Sequence, residues 1–294
     1  MSWLKTSKTF TDTGFLVTEP SYTYAIELEY YKEMCAGCGM CIVACPKGAI
    51  KIKDQEKLIQ KTTGINLIDI DEEKCVKCGI CAATCIFNAL KLRHRDNLAE
   101  EEYRIPATEL GVYPSFQTTA KVELEKCTFC KLCEKMCPRK AITVIHKEKV
   151  DINSILCIGC GWCEWICPTS AITTRKSLTG SIKINLEVCK TDCDKCASVC
   201  PADAIYSKSI AESKFGKVKT NVIEKKILKQ ETEKTVPLSE FCVLCGACKQ
   251  VCPVEECIEI ERKKISVPKL RSAKLWSRVQ EKLHKATREA GRAE

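Results

Sequence analysis

Aromatic residues make up only 6 % of this 294-residue chain, so a conventional large core is not expected. Three histidines, His94, His146 and His284, lie far apart with no acidic or nucleophilic partner in a recognisable pattern; surface positions are expected for them. No apolar run approaches the ~20 residues of a membrane span, so no transmembrane segment is expected. The first residues, MSWLKTSKTFTDTGF, lack the apolar stretch of a secretory signal, so a reducing compartment is expected, with the thiols kept for metal. There is no glycine-rich dinucleotide loop, no phosphate-binding loop and no acid–base pair. No catalytic residue is expected, and the chain is not read as an enzyme on its own.

Cysteine is what the chain has instead, 25 in all. They fall in six sets: CAGCGMCIVACP, CVKCGICAATCI, CTFCKLCEKMCP, CIGCGWCEWICP, CKTDCDKCASVCP and CVLCGACKQVCP. The ligand candidates are Cys35, Cys38, Cys41 and Cys45; Cys75, Cys78, Cys81 and Cys85; Cys127, Cys130, Cys133 and Cys137; Cys157, Cys160, Cys163 and Cys167; Cys189, Cys193, Cys196 and Cys200; and Cys242, Cys245, Cys248 and Cys252. Only Cys257 is left over.

The flanks repeat too. Short alternating segments precede most sets (AIELEYY, INLIDID, AKVELE, IKINLEV), and others follow after a small apolar residue (GAIKIKD, NALKLRH, KAITVIH). Alternation at period two predicts short half-buried strands. The third and fourth cysteines, four apart, share one face of a helical turn. The repeat is thus strand, cysteine loop, helical turn, strand, and the six sets pair consecutively. The expected fold class is α+β: tandem bacterial-type dicluster ferredoxin-like units with short antiparallel strands and helical turns, plus a basic C-terminal helix. The expected divisions are an N-terminal extension (1–24), unit 1 (25–97), a linker (98–118), unit 2 (119–178), unit 3 (179–266) with a lysine-rich insertion (207–238), and the helix (267–294).

Tetrahedral thiolates suit zinc or iron–sulfur. Zinc motifs usually separate two Cys-x-x-Cys pairs by a longer loop. Three cysteines at three-residue steps, then a fourth followed by proline, is the run for [4Fe–4S] clusters, with the fourth thiolate ligating the other cluster of a pair. Six [4Fe–4S] clusters are therefore expected, with zinc as the alternative. Crossed ligation groups Cys35, Cys38 and Cys41 with Cys85, and Cys75, Cys78 and Cys81 with Cys45. It groups Cys127, Cys130 and Cys133 with Cys167, and Cys157, Cys160 and Cys163 with Cys137. Finally, Cys189, Cys193 and Cys196 go with Cys252, and Cys242, Cys245 and Cys248 with Cys200.

The fifth set carries one extra residue, with turn-tolerant Thr191 and Asp192 in the lengthened loop. An intact four-iron site is expected there; a three-iron or labile site beside Asp192 is the rival. Cys257 is expected as a packed, non-ligating thiol, a ligand role being the alternative. Trp162 and Trp165 are expected to shield a cluster from water. Small units bury little apolar surface, so metal ligation should supply folding energy and the iron-free chain should be largely unfolded.

The formal charge of +9 is concentrated at one end: from Arg262 to Glu294, eleven Lys/Arg oppose three Glu, a net of +8. In that segment Leu275, Trp276, Val279 and Leu283 share a helical face. Such a basic amphipathic helix suits partner docking or local packing, and less well a membrane surface or nucleic acid.

With CTFCKLCEKMCPRKAITV and CIGCGWCEWICPTSAIT as its clearest units, the chain resembles archaeal polyferredoxins, in particular the polyferredoxin subunit of formylmethanofuran dehydrogenase; TFTDTGF adds to the likeness. The resemblance implies cytoplasmic electron transfer in an anaerobic archaeon. Electrons from a soluble ferredoxin or a heterodisulfide-reductase-type partner would reach a tungsten- or molybdenum-pterin subunit that reduces carbon dioxide in methanogenesis. A hydrogenase or heterodisulfide reductase assembly is the runner-up, and a zinc-binding interaction module is the alternative of another class.

Overall fold

The computed structural model describes residues 5–21, 24–53, 58, 65–96, 104–106, 119–190, 193–207, 222–223, 235–265, 279 and 281–283. The chain forms two compact units, one of Met1–Phe116 with Val267–Glu294, the other Gln117–Ser266.

Each consecutive pair of cysteine sets is framed in the same way. The strand after the first set pairs antiparallel with the strand before the second, and the two outer strands pair with each other. In the first pair, Ile50–Ile52 meets Ile68–Ile70 while Tyr24–Tyr31 meets Leu90–Asp96. In the second, Ile142–Ile145 meets Lys149–Ile152 and Thr119–Val122 meets Ile172–Arg175. In the third, Ile205–Ser207 meets Thr235–Pro237 and Leu178–Asn185 meets Ile258–Ile265. The alternation in the sequence fits this arrangement: Ile142 and Val144 are buried while Thr143 and Ile145 face out. The α+β architecture of small sheets and short helices is as expected.

The N-terminal segment is part of a larger sheet. Ser7–Thr11 and Gly14–Pro20 form a hairpin whose second strand pairs along Tyr24–Tyr31. With Leu90–Asp96 and Arg104–Pro106 this makes five antiparallel strands. Phe15 and Tyr30 stack beneath them at 4.8 Å. Their cluster of buried residues includes Val17, Leu28, Ile50, Ile68 and Ile70.

In the outer ribbon of the third pair, the register shifts between Thr179 and Gly180. A Cβ on Gly180 would lie 1.9 Å from the Glu261 carbonyl oxygen, so only glycine fits there. Most of the lysine-rich insertion lies outside the described residues. Of its described parts, Val222–Ile223 pairs in parallel with Leu178–Asn185. In the basic tail, residues 279 and 281–283 are helical, with Val279 and Leu283 buried. Leu275 and Trp276 lie outside the described residues. Among the described residues no helix is long and apolar enough to cross a membrane.

Candidate metal centres

All 25 cysteines lie among the described residues and none is in a disulfide. In five of the sets the loop is wound by two left-handed residues. One precedes the second cysteine (Gly37, Lys77, Phe129, Gly159, Leu244), and one follows it (Gly39, Gly79, Lys131, Gly161, Gly246). Non-glycine residues there carry a backbone cost of roughly 1–2 kcal/mol each. In return the loop turns its N–H groups towards sulfur. Gly37, Phe129 and Leu244 donate to the Sγ atoms of Cys35, Cys127 and Cys242, each at 3.4 Å. A short helix then carries the third cysteine, as in Met40–Ala44 and Ile80–Thr84, and the fourth cysteine closes it in extended conformation.

That extended exit sends the fourth thiol away from its own set. Cys45 lines a cavity with Cys75, Cys78 and Cys81, about 330 Å³ counting the part open to solvent. Cys167 lies with Cys127, Cys130 and Cys133 around about 320 Å³, and Cys137 with Cys157, Cys160 and Cys163 around about 340 Å³. Cys252 lies with Cys189, Cys193 and Cys196 around about 330 Å³, and Cys257 lines the same space. The remaining two quartets also converge. Burial, and then neighbouring Cys35, push the Cys85 thiol up to about 11. Burial, then Cys38, Cys35 and Cys85, raise Cys41. Cys248 is raised by burial and then by Cys245, Cys242, Cys200 and, more weakly, Cys196.

The sulfur of the fourth cysteine receives a further hydrogen bond in five sets. The N–H groups of Ala49, Ala89, Ala141, Ala171 and Ala204 donate to Cys45, Cys85, Cys137, Cys167 and Cys200 at 3.2–3.3 Å. These buried alanines are the small apolar residues that begin the second alternating run. In the sixth set Cys257 takes the alanine's place.

Three cations, buried Lys77 and Arg262 and half-buried Lys176, stand beside the thiols. Lys77 lines the Cys75 cavity and is held by Thr6 Oγ1 at 2.9 Å and Glu19 at 3.3 Å, both from the N-terminal segment. Arg262 donates to the carbonyl oxygens of Leu244 and Cys245, each at 2.9 Å. Lys176 donates to the carbonyl oxygens of Glu240 and Cys242, and lies close enough to Cys160 and Cys242 for both to favour its charge against burial. Burial still dominates at the thiols: Cys160, Cys242 and Cys245 are pushed up to about 11 and Cys163 to about 12.

Trp162 links the second and third cysteine pairs. It lines the Cys157 cavity, stacks on Phe241 with ring centroids 3.6 Å apart, and donates its Nε1–H to the Ala202 carbonyl at 2.7 Å. Trp165, expected as a second shield, is about half exposed and meets these rings edge-on. Phe241, Lys176 and Arg262 were not singled out from sequence. For Phe241 the available signal was its place directly before Cys242; the two cations had none.

These quartets fit an iron–sulfur cluster. Every donor is a thiol, and backbone N–H groups are aimed at sulfur. Among the described residues no three Cys, His, Asp or Glu side chains converge tightly enough to hold a single metal ion.

A 4Fe–4S dicluster domain matches residues 34–89, 74–141 and 156–204. The chain belongs to the 4Fe–4S dicluster ferredoxin family. A 4Fe–4S double cluster binding domain matches 188–255, and an LdpA Fe–S cluster-binding domain matches 124–178. Among solved structures, the chain is similar to one in the formate dehydrogenase–heterodisulfide reductase–formylmethanofuran dehydrogenase complex from Methanospirillum hungatei. Identity is 28 %, with 96 % of this chain and 92 % of that one covered, at a TM-score of 0.76. No curated protein matches. The polyferredoxin likeness read from the cysteine sets is thus borne out, and this dicluster ferredoxin chain is a multi-cluster electron-transfer protein.

Proposed function

We propose that this dicluster ferredoxin chain binds six [4Fe–4S] clusters through the crossed quartets and relays electrons within a larger oxidoreductase complex, without catalysis of its own. The observation that carries the reading is that a cavity wall takes three cysteines from one set and one from its partner set. A cluster so held accepts and releases one electron at a time. The protein's part is to present deprotonated thiols, surround them with N–H donors and exclude water. Buried Lys77 and Arg262, with half-buried Lys176, offset part of the negative charge that thiolates bring to the Cys75, Cys157 and Cys242 sites. Trp162 and Phe241 pack the space between the Cys157 quartet and the Cys242 quartet, keeping that interval dry.

The proposed partners are the subunits of a formylmethanofuran dehydrogenase-type complex in the cytoplasm of an anaerobic archaeon. There the chain would pass electrons from a soluble ferredoxin or a heterodisulfide-reductase-type subunit to a molybdenum- or tungsten-pterin subunit. Likeness over nearly all of both chains to a member of such a complex supports this. The same complex contains heterodisulfide reductase, which favours service on that side as the second reading.

Anoxically purified protein should be brown, bleach with dithionite, and carry about 24 iron atoms, four for each of six sites. Colourless, zinc-loaded protein would overturn the reading. Anoxic co-purification should bring down a pterin-dependent subunit; recovery with heterodisulfide reductase subunits alone would favour the second.

A further inference from the structure

Two irregularities of the repeat, far apart in sequence, meet in one cavity. The first is the extra residue between Cys189 and Cys193. Its structural effect is local: Asp194, after the second cysteine, has φ −107°, where the equivalent residues of the other five sets are left-handed. The second is the extra residue after Cys252, in CPVEEC, which puts Glu256 in the left-handed turn position and Cys257 where other sets have alanine.

The result is five thiols around one cavity: Cys189, Cys193, Cys196, Cys252 and Cys257. Cys257 is 3 % exposed, and it lines the cavity together with Cys189 and Cys252. It also lies 3.8 Å from the Asn185 carbonyl oxygen. Cys189 is on the outer side, partly exposed, at the end of the lengthened loop.

We propose that Cys257 is a fifth, exchangeable ligand at this site, able to replace Cys189. This rests on the cluster reading above. Cys193, Cys196 and Cys252 would be fixed, and the fourth iron–sulfur bond to protein shared between a partly exposed thiol and a buried one that lines the same cavity. The exchange would balance: an iron–Sγ bond to Cys257 would form as that to Cys189 breaks, and the thiol proton would pass from Cys257 to Cys189, which lines the same cavity. No oxidant or reductant is needed. The site would keep four thiolates when its exposed ligand is lost.

The test compares anoxically reconstituted full-length Cys189→Ala, Cys257→Ala and the double variant by iron content and by electron paramagnetic resonance after mild oxidation. Each single variant should keep the wild-type iron content, about 24 per chain, with no three-iron signal, while the double variant should show that signal or lose up to about four iron atoms. If Cys189→Ala alone behaves like the double variant, or if the double variant keeps all its iron, the proposal is overturned. Should the double variant not fold, Mössbauer spectra of Cys189→Ser decide: all-thiolate iron is expected, and iron bound to serine oxygen overturns it. Wild-type protein without iron–sulfur would instead sink the cluster reading itself, before any variant is made.

Discussion

The first and second cysteine pairs share a repeat but rest on different foundations. The first lies under a five-stranded sheet, on a buried cluster that includes Phe15, Val17, Leu28, Tyr30, Ile68, Ile70 and Leu90. The second has two two-stranded ribbons. Its buried cluster is Cys133, Ile142, Val144, Cys163 and Ile172, so two of its five members are candidate ligands. The contrast sets one motif on two footings: a sheet supplies apolar burial to the first pair, and in the second ligation would have to substitute for it.

Metal removal is the strongest test. After anoxic chelation of iron, the strands Thr119–Val122, Ile142–Ile145 and Ile172–Arg175 should exchange their amide hydrogens at near-unfolded rates. Tyr24–Tyr31 and Leu90–Asp96 should keep measurable protection. This narrows the sequence expectation of a largely unfolded iron-free chain to the regions that lack a sheet. Equal loss of protection in both regions would break the comparison.

Single-ligand changes sharpen it. Cys45→Ala should damage the Cys75 site and spare the Cys35 site, because Cys45 lines the other set's cavity. Cys137→Ala should likewise damage the Cys157 site, and with little apolar core beneath, should also loosen the surrounding ribbons. Iron content and native-state proteolysis separate the two effects. Damage confined to the variant's own set, in either pair, would count against crossed ligation.

The sequence carried the cysteine loops and strands well because both are local signals. Thiol spacing sets which side chains leave one loop together, and period-two alternation marks each strand's buried face. What stayed hidden depends on distant partners. GFLVTEP gains its place by pairing with Ser7–Thr11 and Tyr24–Tyr31, and Lys77 is buried where Glu19 and Thr6 reach it. Arg262 belongs by composition to the basic tail, yet it is buried on the carbonyls of a cysteine loop. The left-handed residues at Phe129 and Lys131 were equally silent, since nothing but glycine announces that conformation. The crossed cavities were legible as a rule of the motif. The fifth thiol facing one of them was legible only as a residue out of place.

Phe15→Ala has a smaller, graded effect. Phe15 is 1 % exposed and packs on Tyr30, so truncation should cost about 3–5 kcal/mol in the first unit. Anoxic denaturant titration of the holo-protein should show this loss, and after chelation the variant's hairpin should lose the protection that distinguishes the two regions. If the variant keeps wild-type protection without iron, the sheet is not what sustains the first pair.

Arg262→Gln should have the smallest effect, and it extends the comparison to the third pair, where support comes from a cation. The guanidinium satisfies the Leu244 and Cys245 carbonyls from a position 8 % exposed. It also opposes the effect of burial on the Cys242 and Cys245 thiols. Glutamine removes the charge and one or both hydrogen bonds. Orphaned buried carbonyls cost roughly 1–3 kcal/mol each when no water replaces the donor. Because the lost positive charge favoured the more negative state, the potential of the Cys242 site should fall by on the order of tens of millivolts. Redox titration followed by electron paramagnetic resonance would detect one of the six components moving down while the others hold. A uniform shift, or an upward one, would mean that Arg262 acts on packing alone. Arg262→Lys separates the two roles: it restores the charge without the forked donor, so the potential should largely recover while stability does not.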